Sequence, residues 1–174
     1  MVNILAPILF VLFSCNRDSI EILPSRLDLP DQESWGVTIL LTNEGKMRAK
    51  IASGHLEKHN EKEFIMLDEL VKVDFYDNSE KHTSVITSNI AEVNQASNDM
   101  KAIGNVIAVS DSGITLYSNS LTYNSKKEEL HTKEKIMITT LENDTLYGTG
   151  FESDSDLKNW RILKPSGVTN RGLE

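Results

Sequence analysis

The chain has 174 residues, about the length of one domain, and its 39% hydrophobic and 25% charged residues are typical of a folded globular protein. Its net charge of −8, from 26 acidic and 18 basic residues without a basic cluster, argues against a nucleic-acid-binding surface. The single cysteine excludes an intrachain disulfide and a multi-cysteine zinc site.

The N-terminus combines a short apolar segment with the cysteine. Residues 4–13 are apolar throughout, but a helix over them would extend only roughly 15 Å, about half of a bilayer core. The segment therefore fits the hydrophobic part of a secretory signal. Leu12-Phe13-Ser14-Cys15 resembles a bacterial lipobox, which predicts that residues 1–14 are a lipoprotein signal peptide and that Cys15 is acylated. A buried N-terminal strand or helix with a free thiol is the alternative.

The next segment predicts a tether. Residues 15–33 would contain the acylated N-terminus and a mostly polar stretch with Pro24 and Pro30, which favours extended chain. Fully extended, the sixteen residues from Asn16 to Asp31 would reach roughly 50 Å. A single domain is then expected over residues 34–167, with residues 168–174 as a C-terminal tail.

From Trp35 onward, apolar side chains recur at every second position, which predicts half-buried β-strands. Trp35, Val37, Ile39 and Leu41 are expected on one face, and the last strand is expected over residues 157–163. Turn signals such as Asn43-Glu44-Gly45 separate the strands and favour hairpins. Residues 57–70 are the best helical candidate, with a strand over residues 64–67 as the alternative. The sequence thus predicts an all-β domain.

Few residues suggest catalysis or cofactor binding. His55 and His59 would share one face of a helix, but a solvated polar segment explains them better than a metal site. Asp154 and Asp156 belong to Ser153-Asp154-Ser155-Asp156, a sequence typical of a turn. Gly148-Thr149-Gly150 fits a bend or close packing of a strand. We expect neither a catalytic residue nor a metal or other cofactor.

The segment after Asp99 resembles a known family. It contains, in order, Met100-Lys101-Ala102-Ile103-Gly104-Asn105-Val106, Gly113, Leu121-Thr122-Tyr123 and Gly148-Thr149-Gly150-Phe151. This ordered set resembles the LptC family of lipopolysaccharide export, which shares an OstA-like fold with the periplasmic bridge protein LptA. The motif residues that carry the resemblance are Gly104, Asn105, Val106, Gly113, Gly148 and Gly150.

The resemblance implies an open β-jellyroll, two antiparallel sheets in a V, whose groove holds the acyl chains of lipopolysaccharide. An acidic chain suits this role if it binds the acyl chains and leaves the phosphates in solvent. A sealed core is the alternative for the same apolar face. The residues predicted to face the groove are Ile51, Val73, Phe75, Ile86, Met100, Ala102, Val106, Ala108, Leu116, Leu121, Ile136 and Ile138.

The resemblance also implies partners and a location. The protein would receive lipopolysaccharide from the permease subunits of an inner-membrane ABC transporter and pass it to an LptA-like bridge protein in the periplasm. The C-terminal edge expected to contact the bridge protein comprises Leu157, Asn159, Trp160, Arg161 and Ile162. The lipid would anchor it to the periplasmic face of the inner membrane, with the outer membrane as the alternative because Asn16, not Asp, follows Cys15.

Two other functions fit the sequence. A soluble, bridge-like OstA module would share the fold without the anchor, so acylation of Cys15 distinguishes it. A β-sandwich surface lipoprotein that binds carbohydrate would need an aromatic platform or a carboxylate pair, and only 6% of the residues are aromatic.

Overall fold

The computed structural model describes residues 29–142 and 144–170, with no side-chain description for residues 168–170. It consists of strands and tight turns, which confirms the all-β prediction. The strands are β1 (Gln32–Asn43), β2 (Lys46–Lys58), β3 (Phe64–Asp68), β4 (Val71–Tyr76), β5 (His82–Ser88), β6 (Ile90–Asn94), β7 (Met100–Ser110), β8 (Thr115–Asn124), β9 (Glu129–Thr139), β10 (Asp144–Asp154) and β11 (Trp160–Asn170).

Hydrogen bonds join all eleven strands into one antiparallel sheet. The short strands β3 and β4 pair successively with β2, so together they act as one interrupted strand. In the same way β5 and β6 pair successively with β7. Neighbours in the sheet are therefore mostly neighbours in the chain, as the hairpin spacing predicted.

The pairing is interrupted part-way along successive strands, and these interruptions form a continuous line that we call the crease. It passes through Gly36, Gly54, Glu69, Asn89, Gly104, Asn119, Lys133 and Gly150. The crease divides the sheet in two. The first half-sheet contains β4 and β5 with the adjoining parts of the long strands, and the second contains β3 and β6 with the other parts.

Glycines allow neighbouring backbones to approach at the crease. A Cβ on Gly54 would lie 2.7 Å from Glu69 Cβ, and one on Gly104 would lie 2.9 Å from Asn89 Nδ2. Gly104 also has φ of +77°, in the left-handed region that other residues rarely adopt. The chain can therefore bend here only because the side chain is missing.

Hydroxyl groups replace some of the backbone hydrogen bonds that the crease interrupts. Ser53, Ser88 and Ser118 each donate to a carbonyl two residues further along the chain, at 2.6, 2.8 and 2.9 Å. Thr132 Oγ1 accepts from the Glu134 N–H at 3.1 Å. Because backbone groups released from a ladder otherwise lose a partner, these side chains stabilise the bend.

The two half-sheets face each other across one hydrophobic core. Phe75 in the first half-sheet meets Tyr123 in the second, with ring centroids 4.8 Å apart in an edge-to-face arrangement. Buried apolar residues from both half-sheets belong to a single cluster. The molecule is thus one creased sheet folded over its own apolar face, as a V-shaped jellyroll requires.

The structure decides between the alternatives for individual elements. Residues 57–70 hold the end of β2, a turn and β3, so the strand alternative over residues 64–67 is confirmed and the helical candidate does not form. Trp35 does not share the face of Val37, because Gly36 adopts a φ of +61° and reverses the alternation; Trp35 is 67% exposed. The domain begins with β1 at Gln32 and extends through β11 to Asn170, beyond the expected limits of 34 and 167.

The last strand also differs from its prediction. It begins at Trp160, so Leu157 and Asn159 lie in the β10–β11 turn, and it continues through Pro165 instead of ending before it. An edge strand tolerates proline because one of its sides needs no ladder donor. The predicted signal peptide, Cys15 and residues 171–174 lie outside the described residues.

Candidate functional site

The interior between the half-sheets contains every residue that alternation placed on the groove face. Each is buried, with no more than 4% of its surface exposed. These residues are Ile51, Val73, Phe75, Ile86, Met100, Ala102, Val106, Ala108, Leu116, Leu121, Ile136 and Ile138. These side chains therefore lie on the interior face of the sheet, where they form a packed core.

The interior is less well covered at its two ends. At the β1 end, Val37, Ile39 and Leu41 pack against the core while staying half-buried, and at the β11 end the same holds for Leu146, Trp160 and Ile162. Strands are spaced about 4.8 Å apart, so the apolar path across the sheet measures roughly 40 Å. The molecule thus holds one continuous apolar path that meets solvent at both ends.

The turns of the two half-sheets meet opposite the crease, along a line that we call the mouth. Arg48 on β2 donates from Nη2 to Glu128 Oε2 in the β8–β9 turn at 2.5 Å. Ser84 on β5 donates from Oγ to the Ser155 carbonyl in the β10–β11 turn at 2.5 Å. Both contacts join the first half-sheet to the second, so they hold the mouth closed.

Tyr123 lies just inside the mouth and is buried. Burial, with a smaller contribution from the charge of Glu128, raises the pKa of Tyr123 to about 12, although Arg48 opposes the shift. The phenol therefore stays neutral at physiological pH. Its ring contributes to the apolar path rather than to any acid–base chemistry.

The glycines of the sequence motif occupy bends and tight contacts. Gly104 and Asn105, with φ of +77° and +48°, lie at the crease, and Val106 follows them into the interior. Gly113 lies in the β7–β8 turn with φ of +90°, next to Leu141. Gly150 is at the crease on β10, and Gly148 packs against Ile162 of β11. The motif thus marks the fold rather than a reactive centre, as expected for Gly148-Thr149-Gly150.

Only some of the residues predicted at the partner edge lie on the edge strand β11. Trp160, Arg161 and Ile162 lie on β11, where Arg161 Nε donates to Glu152 Oε2 at 2.7 Å. Leu157 is fully buried in the preceding turn, and Asn159 donates to Asp154. Among the described strands, β11 pairs with β10 alone. Its other side is therefore a strand edge from Trp160 onward.

Three potential metal ligands approach one another on the outer face, where sequence reasoning did not place them. One ligand atom from each of Glu33, His55 and Glu57 lies within 4.8 Å of the others, and His55 Nδ1 is 2.9 Å from Asp68 Oδ1. Glu33 comes from β1, so only the pairing of β1 with β2 brings it near His55. His55 lies on β2, so the helical arrangement that would bring it beside His59 does not form.

Sequence reasoning also missed several interior residues and the residues at the mouth. Leu56 and Phe151 are buried just after the crease, where an irregular residue reverses the alternation. Arg48 and Glu128 are 80 residues apart in the chain, and no local pattern links them. In residues 29–142 and 144–170, no helix is long and apolar enough to cross a membrane.

Comparison with solved structures shows the same fold. The crystal structure of LptH, the LptA homologous periplasmic component of the conserved lipopolysaccharide transport device from Pseudomonas aeruginosa, has a TM-score of 0.53 to this chain. The two sequences are 11% identical, and the match covers 72% of this chain and 89% of that chain. No curated protein matches this chain in sequence.

At 11% identity the structural likeness shows the fold alone, whereas a family model assigns the chain to a family. The model described as lipopolysaccharide-assembly, LptC-related, matches residues 36–168, which includes the creased sheet from β1 nearly to the end of β11. The family match and the shared fold support a role in lipopolysaccharide transport. The chain therefore belongs to the LptC-related family of lipopolysaccharide-assembly proteins.

Proposed function

We propose that this protein is a membrane-anchored, periplasmic component of lipopolysaccharide export. It receives lipopolysaccharide from the permease subunits of an inner-membrane ABC transporter. It holds the acyl chains between the half-sheets and passes the lipid to an LptA-like bridge protein. The observation that supports this most directly is the apolar path that crosses the whole sheet and is half-exposed at both ends.

The packed interior is compatible with a lipid occupant. Acyl chains that enter between the half-sheets would replace apolar side-chain contacts with apolar lipid contacts, so little transfer free energy is lost. Opening the interior without a lipid would instead expose the apolar face to water. The lipid itself therefore stabilises the open form, and export energy comes from the transporter's ATP.

Photocrosslinking tests the position of the lipid. Val73, Phe75, Val106 and Ile138 point into the interior, whereas the neighbouring Lys72 and Asp74 form an ion pair on the opposite face of β4. A photoreactive residue at each interior position should crosslink to lipopolysaccharide in cells, and one at Lys72 or Asp74 should not. Equal crosslinking on both faces would show that the acyl chains do not lie between the half-sheets.

The anchor is a separate part of the proposal. The sequence Leu12-Phe13-Ser14-Cys15 supports acylation of Cys15 and attachment to the periplasmic face of the inner membrane. A palmitate analogue should label the wild-type chain and leave Cys15→Ala unlabelled. Labelling of both chains alike would refute acylation at Cys15, and an unlabelled wild type would favour a soluble module resembling the bridge protein.

A further inference from the structure

An arginine at the mouth is held in place by both half-sheets. Arg48 donates from Nη2 to Glu128, and from Nη1 to Asn78 Oδ1 in the β4–β5 turn at 2.7 Å. Its side chain is only 10% exposed. The guanidinium is thus a nearly buried cation whose plane and direction are fixed by two separate turns.

The guanidinium retains one unused donor. Among the described residues, no acceptor lies within hydrogen-bonding distance of the buried Arg48 Nε. Nε and Nη2 share one edge of the planar group, and that edge binds two oxygens of an anion through parallel hydrogen bonds. Glu128 uses Nη2 of this edge alone, so half of a two-donor anion site is unsatisfied.

The space beside the ion pair can accommodate an anion. Cavities of about 270 and 250 Å³ adjoin Arg48 and Glu128, and each is larger than a phosphate group. Lys126 lines the first cavity, which also reaches the core residues Ala49 and Tyr123. Lys127 lines the second. An anion bound here would therefore sit between cations and the apolar interior.

Acidic residues limit the site to a single anion. Asp154 and Asp156 line the second cavity, where Lys158 Nζ is 2.5 Å from Asp156 Oδ2 and Asn159 Nδ2 is 2.6 Å from Asp154 Oδ2. Lys158 compensates the charge of Asp156, while Asp154 accepts a hydrogen bond from the neutral Asn159 and keeps its charge. The two carboxylates would therefore repel a second phosphate. Among the described residues that line the two cavities, only Arg48 has a buried donor without a hydrogen-bond partner.

We propose that Arg48 binds a phosphate of the lipid part of lipopolysaccharide, which replaces Glu128 on the guanidinium edge. This rests on the proposed function and adds the residue that recognises the headgroup. It differs from the expectation drawn from the acidic composition, because one phosphate is held at the mouth and does not remain in solvent. The exchange keeps the buried cation paired, which matters because an unpaired buried charge is strongly unfavourable. It also releases the Arg48–Glu128 contact, one of the two polar contacts described at the mouth, so headgroup binding favours opening of the mouth to the acyl chains.

The test compares phosphorylated lipid A with its dephosphorylated form, using the purified full chain. Wild type should bind the phosphorylated form about tenfold more tightly, the effect of a charge-assisted hydrogen-bond pair. Arg48→Gln should lose that preference and keep its affinity for the dephosphorylated form. Glu128→Gln should bind the phosphorylated form more tightly than wild type, because the competing anion is gone. Lys101→Gln, which removes an exposed cation from β7, should behave like wild type.

The outcomes separate this site from the proposed function. Equal binding of both lipids by wild type would overturn the phosphate site and leave the acyl-chain carrier intact. Failure of wild type to bind either lipid would overturn both. If Arg48→Gln shows no native melting transition, Glu128→Gln decides alone, and an unchanged affinity there would refute the exchange. If inorganic phosphate, at the same concentration as the lipid, displaces the bound lipid, the site takes free phosphate instead.

Discussion

Asp154 organises the β10–β11 turn. Its carboxylate accepts hydrogen bonds from the backbone N–H of Lys158 at 2.9 Å, from that of Asn159 at 3.2 Å, and from Asn159 Nδ2 at 2.6 Å. These bonds hold residues 155–159 in a turn that buries Leu157 with a φ of +57°. The strand predicted from residue 157 therefore starts later, since one side chain captures the N–H groups that a ladder would need.

The same hydrogen bonds make this turn sensitive to acid. Burial alone would raise the pKa of Asp154, but hydrogen bonds involving Asp156, Asn159 and Lys158 lower it below its usual 3.8. A lowered folded-state pKa means that the ionised carboxylate stabilises the fold above the unfolded pKa. That contribution disappears as the pH falls through the folded pKa.

We therefore expect Asp154→Asn to lower the free energy of unfolding by about 1–2 kcal/mol at neutral pH. The difference from wild type should shrink as the pH falls below 3.8, where the wild-type carboxyl becomes protonated. Urea unfolding at a series of acidic and neutral pH values measures it. Glu134→Gln, an exposed carboxylate on β9, is the control and should show no such dependence. A constant difference at all pH values would contradict this account.

At the scale of the strand, the crease is the feature that the fold depends on. Each long strand bends at its irregular position, and glycines or serines there supply close approach or a substitute hydrogen bond. Interrupting a ladder removes backbone pairing, so these positions must be compensated for a single creased sheet to be stable. The consequence is that crease residues contribute to stability although they are not part of the apolar core.

Alanine substitutions at two glycines with nearly equal φ separate two contributions to the loss of unfolding free energy. One is the steric contact of the new Cβ, and the other is the cost of a positive φ. Gly104 at the crease has φ of +77° and Gly45 in the β1–β2 turn has φ of +78°. A Cβ would approach Asn89 at Gly104, whereas nothing lies within 4 Å at Gly45. Gly45→Ala should lower the unfolding free energy by about 1 kcal/mol, and Gly104→Ala by clearly more.

Thermal and urea unfolding of both variants measure this difference. Adding Asn89→Ala to Gly104→Ala should recover part of the loss, because it removes the side chain that a new Cβ would contact. Equal losses at the two glycines would mean that close packing at the crease adds nothing to the conformational cost.

The crease also explains how far sequence reasoning succeeded. Alternation placed the interior residues correctly because pleating sends every second side chain to the same face within an uninterrupted strand. At Gly36, Gly54 and Gly150 an irregular residue shifts the alternation by one position, so the next residues point to the opposite faces from those expected. Trp35 was therefore assigned to the wrong face, and Leu56 and Phe151 were omitted.

The contacts at the mouth could not be predicted from the sequence, for a different reason. The Arg48–Glu128 pair and the Ser84–Ser155 contact arise only when a sheet folds over itself, which brings distant turns together. Neither residue type nor spacing carries that information. The all-β class followed from local periodicity and the jellyroll from the family resemblance, while the geometry of the candidate headgroup site followed from tertiary structure alone.

At the scale of the whole molecule, the edge of β11 is the proposed contact with the bridge protein. N–H groups on successive residues of a strand point to opposite sides, so proline at one of two adjacent positions spares the pairing with β10. Arg161 and Ile162 are adjacent on β11, whereas Asn159, which the sequence placed on this edge, lies in the turn before it. Backbone pairing supplies the affinity in such strand addition.

We expect Arg161→Pro or Ile162→Pro, whichever retains a native melting transition, to abolish capture of the bridge protein by the full chain. Arg161→Ala and Ile162→Ala keep the backbone donor and should bind within a few-fold of wild type. Pulldown with purified bridge protein measures both. Normal capture by two folded proline variants would show that docking uses another surface.

The two outermost strands of the described sheet, β1 and β11, lie at opposite ends of the apolar path and differ in sequence. A junction that joins β11 of one module to a β1-like edge of the next uses two unlike surfaces, and each addition leaves one of each exposed. Such a junction does not close into a dimer, so assembly proceeds by single additions until a different component occupies the last edge. Each module lengthens the route by roughly 40 Å. The distance that a lipid can travel is then fixed by stoichiometry, the number of modules in the row, rather than by the size of any one of them.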